Sequence, residues 1–163
     1  MTSSALEHIL KQHHEDAFLW ARQCCSFDED QAKDVLQAVY LKILEGKAKF
    51  NEKSSPKTWL FSVIRYTAID QFKKGMPLES LDNYHGLEAD VEVGVEEPRE
   101  NYEKLIKQLS PMQGQVLLMV FYHHMTLEEC AQVLQVGIGT ARTHYDRGKK
   151  RLKQMILKTQ EQI

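Results

Sequence analysis

The sequence predicts an all-α chain: two small helical domains joined by a flexible acidic linker, the C-terminal one a helix-turn-helix. Three observations carry this. Apolar residues recur at helical spacing in 31–45 and again in 126–134. Between the halves, residues 76–100 lose that periodicity and fill with Glu and Asp. The stretch 126–152 reads as two short helices around a sharp turn. The domains are therefore placed at 1–75 and 101–163, with the linker at 76–100.

In the first domain, Leu6, Ile9, Leu10, Phe18, Leu19 and Trp20 give 5–25 helical spacing, and the polar residues 11–16 allow one helix or two. Ser26, Asp28 and Asp30 supply turn and N-cap chemistry. Val35, Leu36, Val39, Tyr40, Ile43 and Leu44 then line one face of a helix that Gly46 ends. Residues 47–57 form a basic, turn-rich loop. Ser54 and Ser55 stand as caps before Pro56, which suits a first helical position. The helix 58–74 is rich in aromatic and apolar residues, of which Trp59, Leu60, Val63, Ile64 and Phe72 suit a core. Arg65, Asp70, Lys73 and Lys74 are left for its polar surface. Basic residues beside aromatics are also what unpaired nucleic acid requires, because rings stack on bases and cations follow phosphates.

Glu79, Asp82, Glu88, Asp90, Glu92, Glu96, Glu97 and Glu100 are opposed by Arg99, with Gly86, Gly94 and Pro98 interspersed. Such a segment buries too little apolar surface to fold alone. Beyond it, 102–109 is a helix stopped by Ser110 and Pro111, and 112–122 carries Val116, Leu117, Val120 and Phe121, expected to pack beneath the helix-turn-helix. Thr126 and Glu129 form a capping box ahead of an apolar stripe of Leu127, Ala131 and Leu134. Gly137 and Gly139 are expected to break the helix, and a second one resumes at Thr140. Its first turns present Arg142, Thr143, His144 and Arg147, the layout of a recognition helix in a DNA major groove.

Composition bounds the function. Of the 163 residues, 42% are hydrophobic and 27% charged, as in an ordinary soluble protein, and no stretch has the character of a membrane span or signal peptide. A cytoplasmic location is expected. The formal charge of −2 hides an asymmetry, since Arg142, Arg147, Lys149, Lys150, Arg151, Lys153 and Lys158 collect on the last helix. Local charge is what meets phosphate. Cys24, Cys25 and Cys130 show no paired spacing, so no disulfide framework is indicated. His13 with His14 and His123 with His124 are not at metal-ligand spacing, and no nucleophile motif accompanies the Ser, His and Asp residues. No metal, no cofactor and no enzymatic activity are expected.

Two motifs resemble the extracytoplasmic-function (ECF) sigma factors, the small group of the sigma-70 family that gives bacterial RNA polymerase its promoter choice. AKDVLQAVYLKIL at 32–44 is similar to the family helix D-L-V-Q-E-x-F-L at Asp34, Gln37, Tyr40 and Leu41. WLFSVIRYTAIDQFKK at 59–74 is similar to W-L-x-x-I-A-x-N-x-x-x-D-x-x-R-R. In the C-terminal half, 109–152 resembles the family's second conserved region nearly end to end. The resemblance implies that Asp34, Gln37, Tyr40 and Leu41 dock on the clamp helices of the polymerase's largest subunit. It implies that the loop 47–57 and helix 58–74 melt the minus-ten element and hold an unpaired base through Lys53, Lys57, Trp59, Arg65, Tyr66, Lys73 and Lys74. Arg142, Thr143, His144, Arg147 and Lys150 would read the minus-thirty-five element as duplex, and the acidic linker would thread the RNA channel. Partners implied are core RNA polymerase, promoter DNA and an anti-sigma factor, with no membrane contact by the chain itself.

Departures from the pattern are Tyr66 for Asn, Ile64 for a small residue, Gln31 for Asp, Gln135 for a turn Gly, Gly137 for a Ser cap, and Asp146 inside the recognition helix. Two other classes compete. A stand-alone LuxR-like transcription factor would share the helix-turn-helix but gives no reason for the 59–74 helix. A helical protein-binding module would have a basic tail without nucleic-acid dependence.

Overall fold

The computed structural model describes residues 3–75 and 98–161; these are predominantly helical and contain no strand. The first unit holds α1 (Ser3–Gln12), α2 (His14–Cys24), α3 (Glu29–Leu44) and α4 (Pro56–Gly75). The second holds α5 (Pro98–Lys107), α6 (Pro111–Leu117) running into a π-helical segment (Leu118–Tyr122), then α7 (Leu127–Leu134) and α8 (Ile138–Glu161). The expected linker lies almost wholly at 76–97, outside the described residues, and α5 already begins at Pro98.

Local chemistry explains most boundaries. The polar stretch after α1 breaks at His13, which leaves helical geometry at φ −105°, ψ 11°, so 5–25 forms two helices. Ser26 and Phe27 take successive left-handed conformations (φ 53° and 67°), a tight turn before Asp28, whose carboxylate accepts from the Gln31 N–H at 3.0 Å and caps α3. Gly46 ends that helix at φ 77°, while the Lys47 N–H reaches back to the Lys42 carbonyl at 2.8 Å. Ser55 is the cap of α4, its Oγ accepting from the Thr58 N–H at 3.2 Å with Pro56 as the first helical residue.

The helix expected over 112–122 departs from α geometry in its second half. From Leu118 the ladder widens by one residue, with the His123 N–H bonded to the Leu118 carbonyl at 3.1 Å. The surplus residue keeps Leu118 and Met119 buried, leaves Phe121 and Tyr122 outside, and brings His123 into the interior at 2% exposure.

The buried side chains of both units form one continuous cluster. Trp20, Val39, Ile43, Leu60, Phe61 and Ile64 supply the first unit's share, and Val116, Met119, Cys130 and Val133 the second's. Helix α4 is the central element, packing on α2 and α3 on one side and on α7 on the other. In the second unit α6 lies across α8 at Gly148, where a Cβ would stand 3.2 Å from Leu117 Cδ1 and 3.4 Å from the Gln113 carbonyl. Glycine is what permits that approach.

Candidate nucleic-acid interface

Helix α7 is set by its first turn. Thr126 Oγ1 accepts from the Glu129 N–H and Glu129 Oε1 accepts from the Thr126 N–H, each at 3.1 Å, so two otherwise unsatisfied donors are met reciprocally. The Thr126 N–H bond is the main reason the Glu129 carboxyl titrates below its ordinary range; burial opposes it, and the Thr58 hydroxyl adds to it. Thr126→Ala is expected to cost about 1 kcal/mol of stability, read by urea unfolding; an unchanged midpoint would show that α7 is held by packing alone.

The turn corrects one expectation. Gly137 and Gly139 do not break the helix. Gln135 ends α7 in the left-handed region (φ 57°, ψ 47°), and α8 starts at Ile138, so Gly139 lies inside it. The Val136 N–H bonded to the Ala131 carbonyl at 3.0 Å satisfies the helix end and offsets the strain of a non-glycine residue there. On α8, Ala141, Tyr145, Gly148 and Leu152 recur every three or four residues as the inner stripe, while Arg142, Thr143, Asp146, Arg147, Lys149 and Lys150 are exposed. Thr143, Arg147 and Lys150 share one outer face by their spacing. Thr143 Oγ1 donates to the Gly139 carbonyl at 3.0 Å, and His144 is half-buried. Lys149 Nζ sits 4.4 Å above the Tyr145 ring, which stacks in turn on Phe121. Sequence reasoning left Lys149 and Arg151 out of the contact set. By the same spacing Arg151 falls beside Arg147 on the outer face, whereas Lys149 stands on the flank next to Tyr145; both are exposed.

The residues expected to meet the minus-ten strand divide in two. Lys53, Tyr66 and Lys73 are exposed, Tyr66 at 62%. Lys57 instead donates from Nζ to the His123 carbonyl at 2.7 Å, Trp59 is buried against Phe50, and Arg65 Nε donates to Gln115 Oε1 at 2.8 Å. The Lys74 side chain lies outside the described positions. Beside Tyr66 an open hollow of about 360 Å³ is lined by Lys42, Lys47, Ser62, Val63 and Thr67, with Gln135 from the other unit on its edge. Ammonium groups, hydroxyls and a ring around one concavity suit a phosphate and a base.

Of the residues expected to dock on polymerase, Asp34, Gln37 and Leu41 are exposed on α3, and Leu44 adds a second bare apolar side chain at 58%. The half-buried Tyr40 hydroxyl lies 2.7 Å from His14 Nδ1, and burial raises its pKa to about 12. Burial also pushes up the thiols, Cys24 well above the ordinary value and Cys25 and Cys130 to about 12, so they are held as thiols rather than reactive thiolates. Among the described residues no cluster of His, Cys, Asp or Glu is placed to hold a metal ion.

A helix-turn-helix with a basic outer face, joined to a helical unit with a lysine-rimmed hollow, defines a two-part nucleic-acid reader. Residues 9–76 match the family model for Sigma-70 region 2, and residues 99–152 match that for Sigma-70, region 4. The chain belongs to the sigma-70 family and is a sigma factor of the ECF group. It is 28% identical over 148 residues to the ECF RNA polymerase sigma factor SigX of Bacillus subtilis, covering 83% of this chain and 76% of that one. With the RNA polymerase sigma factor YlaC of the same organism it shares 22% over 171 residues, covering 97% and 95%. Its fold resembles the sigma factor RpoE in complex with the anti-sigma factor NepR from Bartonella quintana, with a TM-score of 0.73 at 19% identity over 93% of this chain and 96% of that one. It also resembles CnrH in complex with the cytosolic domain of CnrY, with a TM-score of 0.68 at 15% identity over 95% and 89%. The match to region 2 leaves the LuxR-like reading without support.

Proposed function

We propose that this sigma factor binds core RNA polymerase through the α3 face carrying Asp34, Gln37, Tyr40 and Leu41, and reads a promoter with both units. The first unit, 1–75, takes the minus-ten element as separated strand, with Tyr66 and the adjoining hollow as the base site and Lys53 and Lys73 on phosphates. The second, 101–163, takes the minus-thirty-five element as duplex through Arg142, Arg147 and Lys150. The observation that carries this reading is the pairing of a basic recognition-helix face on α8 with an aromatic, lysine-rimmed hollow on α4. Duplex contacts place the protein, and strand contacts gain energy once the base pairs part. The chain acts as an initiation factor and catalyses no reaction itself. No described helix is long and apolar enough to cross a membrane, which accords with action in the cytoplasm. RpoE is solved with an anti-sigma factor, which supports an anti-sigma partner here too.

Purified chain added to core RNA polymerase is expected to yield run-off transcripts from the promoter upstream of its own operon. Absence of transcript there, with tight duplex binding by the chain alone, would return the protein to the stand-alone class. Arg147→Ala is expected to weaken minus-thirty-five recognition by the holoenzyme by about 1–3 kcal/mol, and Lys150→Ala to weaken all sequences alike with a salt slope lower by about 1. Fluorescence anisotropy on matched and scrambled duplexes separates the two. Equal losses on both duplexes for Arg147→Ala would make it a phosphate contact.

A further inference from the structure

A second hollow, of about 570 Å³, lies where the end of α2, the last turns of α4 and the corner between α5 and α6 come together. Its floor is apolar, since Val35, Ala68, Leu109 and Leu118 line it and are all buried. Folded interiors leave few voids of this size, and apolar walls give water nothing to bond. Phe27 stands on the wall of the same hollow, in a backbone conformation unusual for a bulky residue. Ser26 and Phe27 both lie in the left-handed region, at φ 53° and 67°, with the Phe27 N–H bonded to the Arg22 carbonyl at 2.8 Å. The Phe27 ring is flanked by two cations, Arg22 Cζ at 5.4 Å and Lys107 Nζ at 5.9 Å from its centroid. Among the described residues, the charged side chains lining the hollow are Asp34, Lys73 and Lys107. Asp34 and Lys73 are exposed, and Lys107 is half-buried.

We propose that this hollow binds a medium-chain carboxylate, its apolar chain laid on the floor and its carboxylate at Lys107. Concave sites for small molecules run to about 300–1,000 Å³ and combine apolar walls with a few polar groups, and the hollow meets both conditions. Its charge sets the head group. Two ammonium groups stand against one carboxylate, and that carboxylate, on Asp34, is exposed to water. Lys107 is half-buried beside the Phe27 ring, so part of its ordering is complete before a ligand arrives. The floor sets the tail, because an acyl chain over Ala68, Leu109 and Leu118 takes apolar surface out of water on both sides. The turn at Phe27 fits the same purpose. Glycine would adopt the left-handed conformation without strain but has no side chain to wall the hollow. The proposal stands on the hollow itself and not on the promoter reading above.

Isothermal titration of the full chain with sodium octanoate tests this. Saturation at one equivalent is expected, with a dissociation constant of about 100 μM and a negative heat-capacity change. Octan-1-ol, which has the chain without the charge, and acetate, which has the charge without the chain, should each bind at least about tenfold more weakly. Lys107→Gln should weaken octanoate about tenfold and leave octan-1-ol unchanged, and Lys107→Arg should restore it. Ala68→Leu, which fills the floor, should abolish binding, with circular dichroism showing that the chain stays folded. Cys24 is half-buried on the wall of the hollow, and its reaction with a maleimide should slow at least about fivefold when octanoate is bound. No saturable heat from the wild type would overturn the proposal, as would equal binding of octanoate and octan-1-ol. Binding undiminished in both Ala68→Leu and Lys107→Gln would show adsorption elsewhere on the surface and overturn it too. Binding that appears only after residues 80–92 are replaced by a Gly-Ser run would have the same force, by assigning the hollow to the chain's own linker.

Discussion

Trp20→Ala is expected to lower the unfolding free energy by about 3–5 kcal/mol. The indole is fully buried, stacked on Phe61 at 5.2 Å between centroids and 5° between planes, and its Nε1–H donates to the Phe61 carbonyl at 3.1 Å. The His123 ring stands perpendicular to it at 5.9 Å between centroids. Truncation therefore removes core volume, two ring pairs and a buried hydrogen bond at a point where both units meet. Against a typical total of about 5–15 kcal/mol, such a loss leaves a marginal fold. Urea titration followed by far-UV circular dichroism measures it, since the substitution removes a fluorophore. Trp20→Phe keeps the stack, loses the bond and should fall between the two. A cost below about 1 kcal/mol for the alanine variant would show that the site collapses around the gap.

Acidification is the second large effect, and His123 is its source. Burial holds the imidazole neutral, with a pKa lowered from 6.5 to about 4; Lys57 and His124 push the same way and Asp16 opposes them. In the unfolded chain the group titrates at about 6.5. Above that pH neither state binds the proton and stability is unaffected. Between 6.5 and 4 the unfolded chain takes up the proton and the folded one does not, so stability falls as pH falls, levelling below 4 after a total loss of about 3 kcal/mol. Glu129, whose carboxyl is depressed by its capping bonds, adds a loss of the same sign at lower pH as it protonates. Urea midpoints from pH 7.5 to 4.5 read the slope. His123→Gln, which keeps an amide donor toward Gln23, should flatten it, and equal slopes for the two proteins would remove His123 as the cause.

Local signals made much of the fold legible in the sequence. The Thr126 and Glu129 capping box, Asp28 before α3, Ser55 with Pro56 before α4 and Gly46 after α3 are chemical statements about neighbouring residues, and they hold as read. The outer face of α8 is legible for the same reason, because helical spacing alone assigns Thr143, Arg147 and Lys150 to one side. The glycines after α7 mislead as turn signals, because Gln135 carries the left-handed conformation instead. The polar contacts between the two units have no local signal at all. Arg22 and Glu103 are 81 residues apart, Thr58 and Glu129 71, and Gln23 and His123 100. Each of these side chains reads alone as ordinary surface or cap chemistry. For the same reason the motif that points Lys57 and Arg65 to nucleic acid carries no sign that the second unit engages them, nor that Trp59 turns inward onto Phe50.

The π-helical segment at Leu118–Tyr122 carries a lesson about insertions and deletions. One surplus residue is absorbed where the chain leaves α6, and removing any one of the five would let the ladder relax to α-helix. A π-helical segment turns through about the angle of an α-helical one a residue shorter, so everything downstream would keep its phase, with His123 still aimed at Trp20 and the helix-turn-helix presented to α4 by the same edge; a further inserted residue that the ladder did not absorb would rotate it by about 100°. Side-chain changes among the exposed residues of the segment leave that phase intact. The alignment of the two readers is thus tied here to a residue count, and the segment should tolerate loss of its one surplus residue better than gain of another.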